Sequence, residues 1–166
     1  MTSRTTSVAA QREPELPGQT VVVIGGSAGI GLETARRARA EGADVIITGR
    51  NPDRLAQAGQ DVGAQRTAAF DANDTASLRS FFAELPAPID HVMVTAGGPH
   101  YGPLLEMDSA QVRDAVSDHL VLALDVARNA AGKMRPGGTL LLMGGTGGRR
   151  IGHGLGLVSA STAVLP

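Results

Sequence analysis

Between the β-branched run Val21-Val22-Val23-Ile24 and an apolar-periodic stretch beginning at Ile30 stands the segment Gly25-Gly26-Ser27-Ala28-Gly29-Ile30-Gly31. Glycines where a strand turns into a helix suit one kind of chemistry. The first N–H groups and the positive dipole end of a helix hold an anion if backbone can approach it closely. The spacing assigns Gly25 to a tight turn, Gly29 to close approach and Gly31 to close helix packing, which together suit a pyrophosphate. A glycine-rich turn without a ligand is the alternative. A nucleotide-hydrolysing loop ends in Gly-Lys-Ser/Thr, and Gly31-Leu32-Glu33 does not, so ATP hydrolysis is excluded.

The other reactive side chains are sparse. The chain has one tyrosine, Tyr101, one lysine, Lys133, and four histidines, His91, His100, His119 and His153. No two histidines stand four apart with a partner carboxylate, so no metal site is expected. Zero cysteines exclude disulfides, thiolate zinc sites and cysteine nucleophiles. A net charge of -1 gives no pull toward nucleic acid or anionic lipid, and 2% aromatics give no base-stacking surface. Composition therefore favours a soluble binder of nucleotides or small molecules. Residues 1–18 are polar and lack the apolar core of a signal peptide, and no run is long enough to cross a bilayer. A flexible tail over 1–18, one domain over 19–166 and a cytoplasmic location are expected.

The elements that must position these residues follow from periodicity. Strands are expected at 21–24, 44–48, 66–70, 91–95 and 138–143. Helices are expected at 30–41, from 52 to about 58, at 75–85, and from 108 to about 131. Helix separates each strand from the next, which demands crossovers and a parallel sheet. The fold class is α/β, a doubly wound Rossmann-type sheet of five strands. Val112, Val116, His119 and Ala123 share one helical stripe, which turns His119 inward, as a satisfied or half-buried core histidine or as a proton relay.

The GxxxGxG spacing at residues 25–31 resembles the short-chain dehydrogenase/reductase family, and the resemblance runs along the chain from Gln19 onward. Ile24 stands where the family commonly has threonine. The resemblance implies NAD(P) binding, with Gly25, Ser27, Gly29, Ile30 and Gly31 around the pyrophosphate. The second strand ends in Thr48-Gly49-Arg50, where NAD-dependent members tend to carry an acid. Arg50 could pair with a 2′-phosphate, so NADP is expected over NAD. Asp71 and Ala72 match the family's adenine contact, with a turn or helix cap as the plainer role for Asp71. Thr95-Ala96-Gly97-Gly98 resembles the Asn-Ala-Gly motif, with threonine replacing asparagine.

The resemblance also implies oxidoreduction of a carbonyl or alcohol, a small-molecule substrate and, in a full-length form, a homo-oligomer. The catalytic pattern departs from the family's. Aligning Val158-Ser159-Ala160-Ser161-Thr162 with Y-x-A-S-K puts Val158 at the tyrosine and Thr162 at the lysine. The serine positions fall on Gly144 and Gly145, with Thr146 next, and His119 falls at the helix asparagine. A substitute proton donor would have to come from His119, Tyr101, His153, Thr146 or Ser159. A non-catalytic nucleotide-binding module, sensing or degenerate, is the rival reading. The family continues past the point where Pro166 closes this sequence, which makes a fragment of a longer reductase a further reading and leaves the fifth strand as a sheet edge.

Overall fold

The computed structural model describes residues 15–149 and 152–163. Five parallel strands, β1 (Thr20–Ile24), β2 (Asp44–Gly49), β3 (Arg66–Ala69), β4 (Ile89–Val94) and β5 (Met134–Leu142), lie in the order β3-β2-β1-β4-β5. Helices α1 (Gly29–Ala40), α2 (Pro52–Val62), α3 (Thr75–Glu84), α4 (Ser109–Val116), α5 (Leu122–Ala130) and α6 (Gly156–Ala163) complete the chain. This is the expected α/β doubly wound sheet. Most of the tail expected over 1–18 lies outside the described residues. Leu16 is docked, its N–H donating to the Glu41 carbonyl at 2.9 Å.

Successive residues of a strand face opposite sides, and β1 uses both. Val21 and Val23 pack with Ala35, Ala38, Leu55 and Val62 under α1 and α2. Val22 and Ile24 pack with Leu78, Phe81, Phe82, Leu122 and Val126 under α3 and α5. All three phenylalanines cluster there, with ring centroids 5.2 Å apart for Phe70–Phe81 and 5.4 Å for Phe81–Phe82. The starts of α2, α3 and α4 are fixed by side-chain caps. Asn51 accepts from the Arg54 N–H, Asp74 from Ala76 and Ser77, and Asp108 forms a reciprocal capping box with Gln111. The Ser77 hydroxyl and the Ser77 and Ala76 N–H groups hold the Asp74 carboxyl below its usual range. The stability of that cap is present above the ordinary carboxylate range and fades as pH falls through the lowered value.

Three boundaries move for physical reasons. Helix α2 runs on to Val62, because Leu55, Ala58 and Val62 keep one buried face until Gly63 ends it at φ 66°. The single helix expected from 108 to 131 contains a π turn at Ser117–Val121. The extra residue of that turn rotates the stripe, leaving Val116 39% exposed and His119 half-buried. Strand β5 begins at Met134, opposite Ile89, and pairing breaks before His91 resumes opposite Thr139. Pro136 has no N–H to give and Gly137 sits at φ 82°, so the strand bulges there instead of starting later. Strand β5 is the sheet edge, as expected, with Leu141 48% exposed.

The lower ends of three strands are tied by Asp90, which is 5% exposed. Its carboxylate accepts from the Thr20 N–H at 2.6 Å and from Arg135 Nε at 2.7 Å. Asp90→Ala is expected to lower stability by about 1–2 kcal/mol, because it strands the Thr20 donor. Urea unfolding followed by circular dichroism measures it. Asp90→Asn, which keeps an acceptor, should lose less.

Candidate functional site

The glycine loop is shaped by what would collide with side chains. Gly25 has φ 97°, and a Cβ there would lie 2.6 Å from Ala96 N and 2.9 Å from Thr95 Oγ1. A Cβ on Gly31 would run into the Gly25 carbonyl and Thr95 Oγ1. Thr95 uses that space: its hydroxyl donates to the Gly25 carbonyl at 3.1 Å, while the Ala96 N–H donates to Ile24 O at 2.9 Å. From the other side, the Gly25 N–H donates to Thr48 Oγ1 at 3.3 Å and the Gly26 N–H to Thr48 O at 2.9 Å. Three strand ends thus grip one loop.

Gly29 differs. A Cβ there would meet nothing within 4 Å, and its φ is 54°. Helix α1 starts at this residue without a side-chain cap and without an acid in its first turn. Its leading N–H groups border a cleft of about 530 Å³ over the carboxyl ends of β1, β2 and β4, on both sides of the point where strand order reverses. Gly25, Ser27, Gly29, Ile30, Gly31, Arg50, Asp71, Ala72, Thr95, Ala96 and Gly97 all line it. The structure therefore brings the whole sequence-derived cofactor set to one surface. Asp71 also serves as a turn residue, accepting the Asn73 N–H at 3.0 Å.

Arg54 and Asp118 are among the lining residues that escaped the sequence reading of this cleft. Arg54, in the first turn of α2, joins Arg50 on the rim, and neither guanidinium has a partner among the described residues. A cation at a helix N-terminus opposes the dipole, which was a readable signal. Asp118, on the π turn, accepts from Asn73 Nδ2 and, at 2.8 Å, from His100 Nε2. Only the turn geometry brings these three together. Gly97, at φ 87°, would carry a Cβ into the Asp118 carbonyl, so the loop after β4 rests on the π turn's backbone.

A second chamber of about 320 Å³ continues from the first, sharing Ile30, Thr95, Asp118 and Met143. Tyr101 and His119 line it; Thr146 and His153 are exposed and line neither space. Tyr101 is 67% exposed, on a loop held by the Gly102 N–H donating to Gly154 O at 3.0 Å. His119 has its Nδ1 covered and without a partner among the described residues. Val158 and Thr162 face the same chamber, and Thr162 Oγ1 donates back to the Val158 carbonyl at 2.7 Å. The Ser159 hydroxyl is buried, has no partner among the described residues and lines neither space. No group of three or more potential metal ligands occurs among the described residues, and no helix there is long and apolar enough to cross a membrane.

Sheet order, crossovers and the cleft at the switch point define a doubly wound α/β domain whose ligand space lies at the strand carboxyl ends. The chain belongs to the short chain dehydrogenase family, whose model matches residues 19–163. It is 39% identical over 88 residues to a probable oxidoreductase of Streptomyces lividans, covering 50% of this chain and 30% of that protein. It is 30% identical over 151 residues to a cyclic-di-GMP-binding biofilm dispersal mediator protein of Escherichia coli, covering 89% of this chain and 62% of that one. Among solved structures, BdcA in complex with NADPH superposes with a TM-score of 0.82 at 27% identity, over 89% of this chain and 61% of that one. A dehydrogenase/reductase from Sinorhizobium meliloti superposes with a TM-score of 0.83 at 27% identity, over 91% and 64%. The chain spans less than two thirds of each.

The last two glycines of the motif separate experimentally. Gly31→Ala places a methyl against the loop backbone and should destabilise by about 1–3 kcal/mol. Gly29→Ala meets no neighbour and should cost only the left-handed strain, about 1–2 kcal/mol. Unfolding midpoints should fall further for Gly31→Ala. In a crystal structure of that variant the Gly25 carbonyl should move off Thr95, whereas the Gly29→Ala loop should keep its path.

Proposed function

We propose that this chain is the cofactor-binding part of an NADP(H)-dependent oxidoreductase acting on a carbonyl or alcohol substrate. One observation carries the cofactor choice. Among the described residues Arg50 and Arg54 stand unpaired on the rim at the end of β2, and Thr48, Gly49, Arg50 and Asn51 offer no carboxylate there. Two guanidiniums suit the 2′-phosphate that distinguishes NADP from NAD. The fit of the rest is supported by the uncapped start of α1, the open space over Gly29 and a volume within the usual range for ligand sites. NADPH, when bound, supplies a hydride. The NADPH held by BdcA supports the same reading. Asp71 and Ala72 would border the adenine, and Thr95, Ala96 and Gly97 the second ribose. The inner chamber, walled by Val94, Leu122, Leu142, Met143 and Val158, suits a small, largely apolar substrate.

A specific observation favours a second reading, nucleotide binding with little or no turnover. Reduction of a carbonyl needs a proton for the oxygen as hydride arrives, and a positioned acid typically contributes about 10²–10⁴-fold. Val158 has no proton to give, and the Thr162 hydroxyl is spent on its own helix. Gly144 and Gly145 offer no hydroxyl to orient the oxygen. His119 and Tyr101 are the remaining donors on the chamber wall.

Titration of nicotinamide fluorescence should show NADPH bound about tenfold or more tightly than NADH. Arg50→Asp should reverse that order, and Arg54→Ala should weaken NADPH while sparing NADH. Equal affinities in the parent chain would remove the arginine assignment. Carbonyl reduction should run about 10²-fold or more below that of a relative with the tyrosine–lysine pair. NADPH consumption with ketones, aldehydes and quinones measures it. Brisk turnover abolished by Tyr101→Phe would name the tyrosine as the acid.

A further inference from the structure

Asp118 places a carboxylate on the wall of a cleft read here as the seat of an anionic dinucleotide. Its side chain is 23% exposed and borders both the cleft and the inner chamber. Asn73, from the loop after β3, donates to one oxygen, and His100 Nε2, from the loop after β4, donates to the other at 2.8 Å. Asn73 brings no charge, so among the described residues His100 is the one group bonded to Asp118 that can offset it. The unpaired cations Arg50 and Arg54 belong to the β2 rim.

We propose that His100 and Asp118 form a proton-gated clasp that sets the affinity of the cleft for the dinucleotide. With both imidazole nitrogens protonated, the pair is neutral and the cleft accepts the anion. When His100 loses its charge, its Nε2–H still bonds Asp118, but a negative charge remains on the wall and repels the phosphates. Proton uptake and dinucleotide binding therefore support each other, so affinity falls as pH rises and His100 gives up its charge. The expected drop is about three- to fivefold, the size of one partly screened charge contact. The clasp rests on the cofactor reading above. The other charged or titratable groups around it are His119 and Tyr101 in the chamber, Asp71, Arg50 and Arg54 along the cleft, and His153 beside Gly154, whose carbonyl binds the loop after His100.

The test is NADH affinity, read from nicotinamide fluorescence between pH 5.5 and 8.5. NADH is the probe because a 2′-phosphate itself titrates near about pH 6. The parent should weaken three- to fivefold across the range. Asp118→Asn should flatten the profile and bind at pH 8 at least as tightly as the parent. His100→Gln should sit at the parent's high-pH affinity throughout, with melting temperatures recorded at each pH. A parent-like profile in Asp118→Asn, or uniformly weaker binding with an unchanged slope, overturns the clasp. Loss of the slope in His119→Asn in place of His100→Gln overturns it as well, by moving the proton to the neighbouring ring. Absence of any NADPH or NADH binding defeats the cofactor reading and the clasp with it, whereas pH-independent binding defeats the clasp alone.

Discussion

The domain hangs on one close approach of backbones. The Gly25–Gly31 loop can reach the end of β4 only because two Cβ atoms are missing, at Gly25 and Gly31, and a threonine hydroxyl occupies the gap. The Thr95 hydroxyl closes on the loop from the end of β4, the Ala96 N–H bonds the Ile24 carbonyl at the end of β1, and the Thr48 hydroxyl and carbonyl close on the loop from β2. Everything near the cleft inherits its position from that grip. Helix α1 is aimed by it, Gly29 is held open by it, and the rim arginines follow from where β2 ends.

The grip also accounts for a departure from the family's motif. The resemblance expects asparagine where Thr95 stands. A threonine hydroxyl is short and donates straight into the Gly25 carbonyl, so this side chain fills the gap left by the glycines. At Val158 and Thr162 the opposite holds. Both residues pack well in place, Val158 at 8% exposure and Thr162 bonded to its own helix, yet neither offers a proton or a cation to the chamber. Packing and chemistry have parted company on α6, while remaining joined at β4.

Alternation of buried strands with amphipathic helices made the sheet legible, because each β1 residue has a helix to face on its own side. The convergence of the glycine loop, Arg50, Asp71 and Thr95–Gly97 on one cleft was legible for a related reason: loops at the carboxyl ends of parallel strands converge whatever their separation in sequence. Three things were not. The π turn leaves no mark in a 3.6-residue pattern until its stripe is seen to slip, and it half-exposes His119 while bringing Asp118 to His100 and Asn73. The early start of β5 hides behind Pro136 and Gly137, residues that ordinarily signal a turn. Loop reach was also unreadable, so Tyr101 and His119 share a wall with each other but not with Thr146 or His153.

The placement of the single tyrosine has an optical consequence. With no tryptophan in the chain, Tyr101 is the dominant intrinsic fluorophore, and it stands 67% exposed on a loop outside both packed clusters. The phenylalanines that mark the core are nearly dark by comparison. Ultraviolet emission from this protein therefore reports the whereabouts of one loop at the mouth of the inner chamber, and is almost blind to the sheet beneath. A fluorescence melt would time the departure of that loop, and a circular dichroism melt the collapse of the fold. The gap between the two curves would measure how independently the chamber's mouth can open.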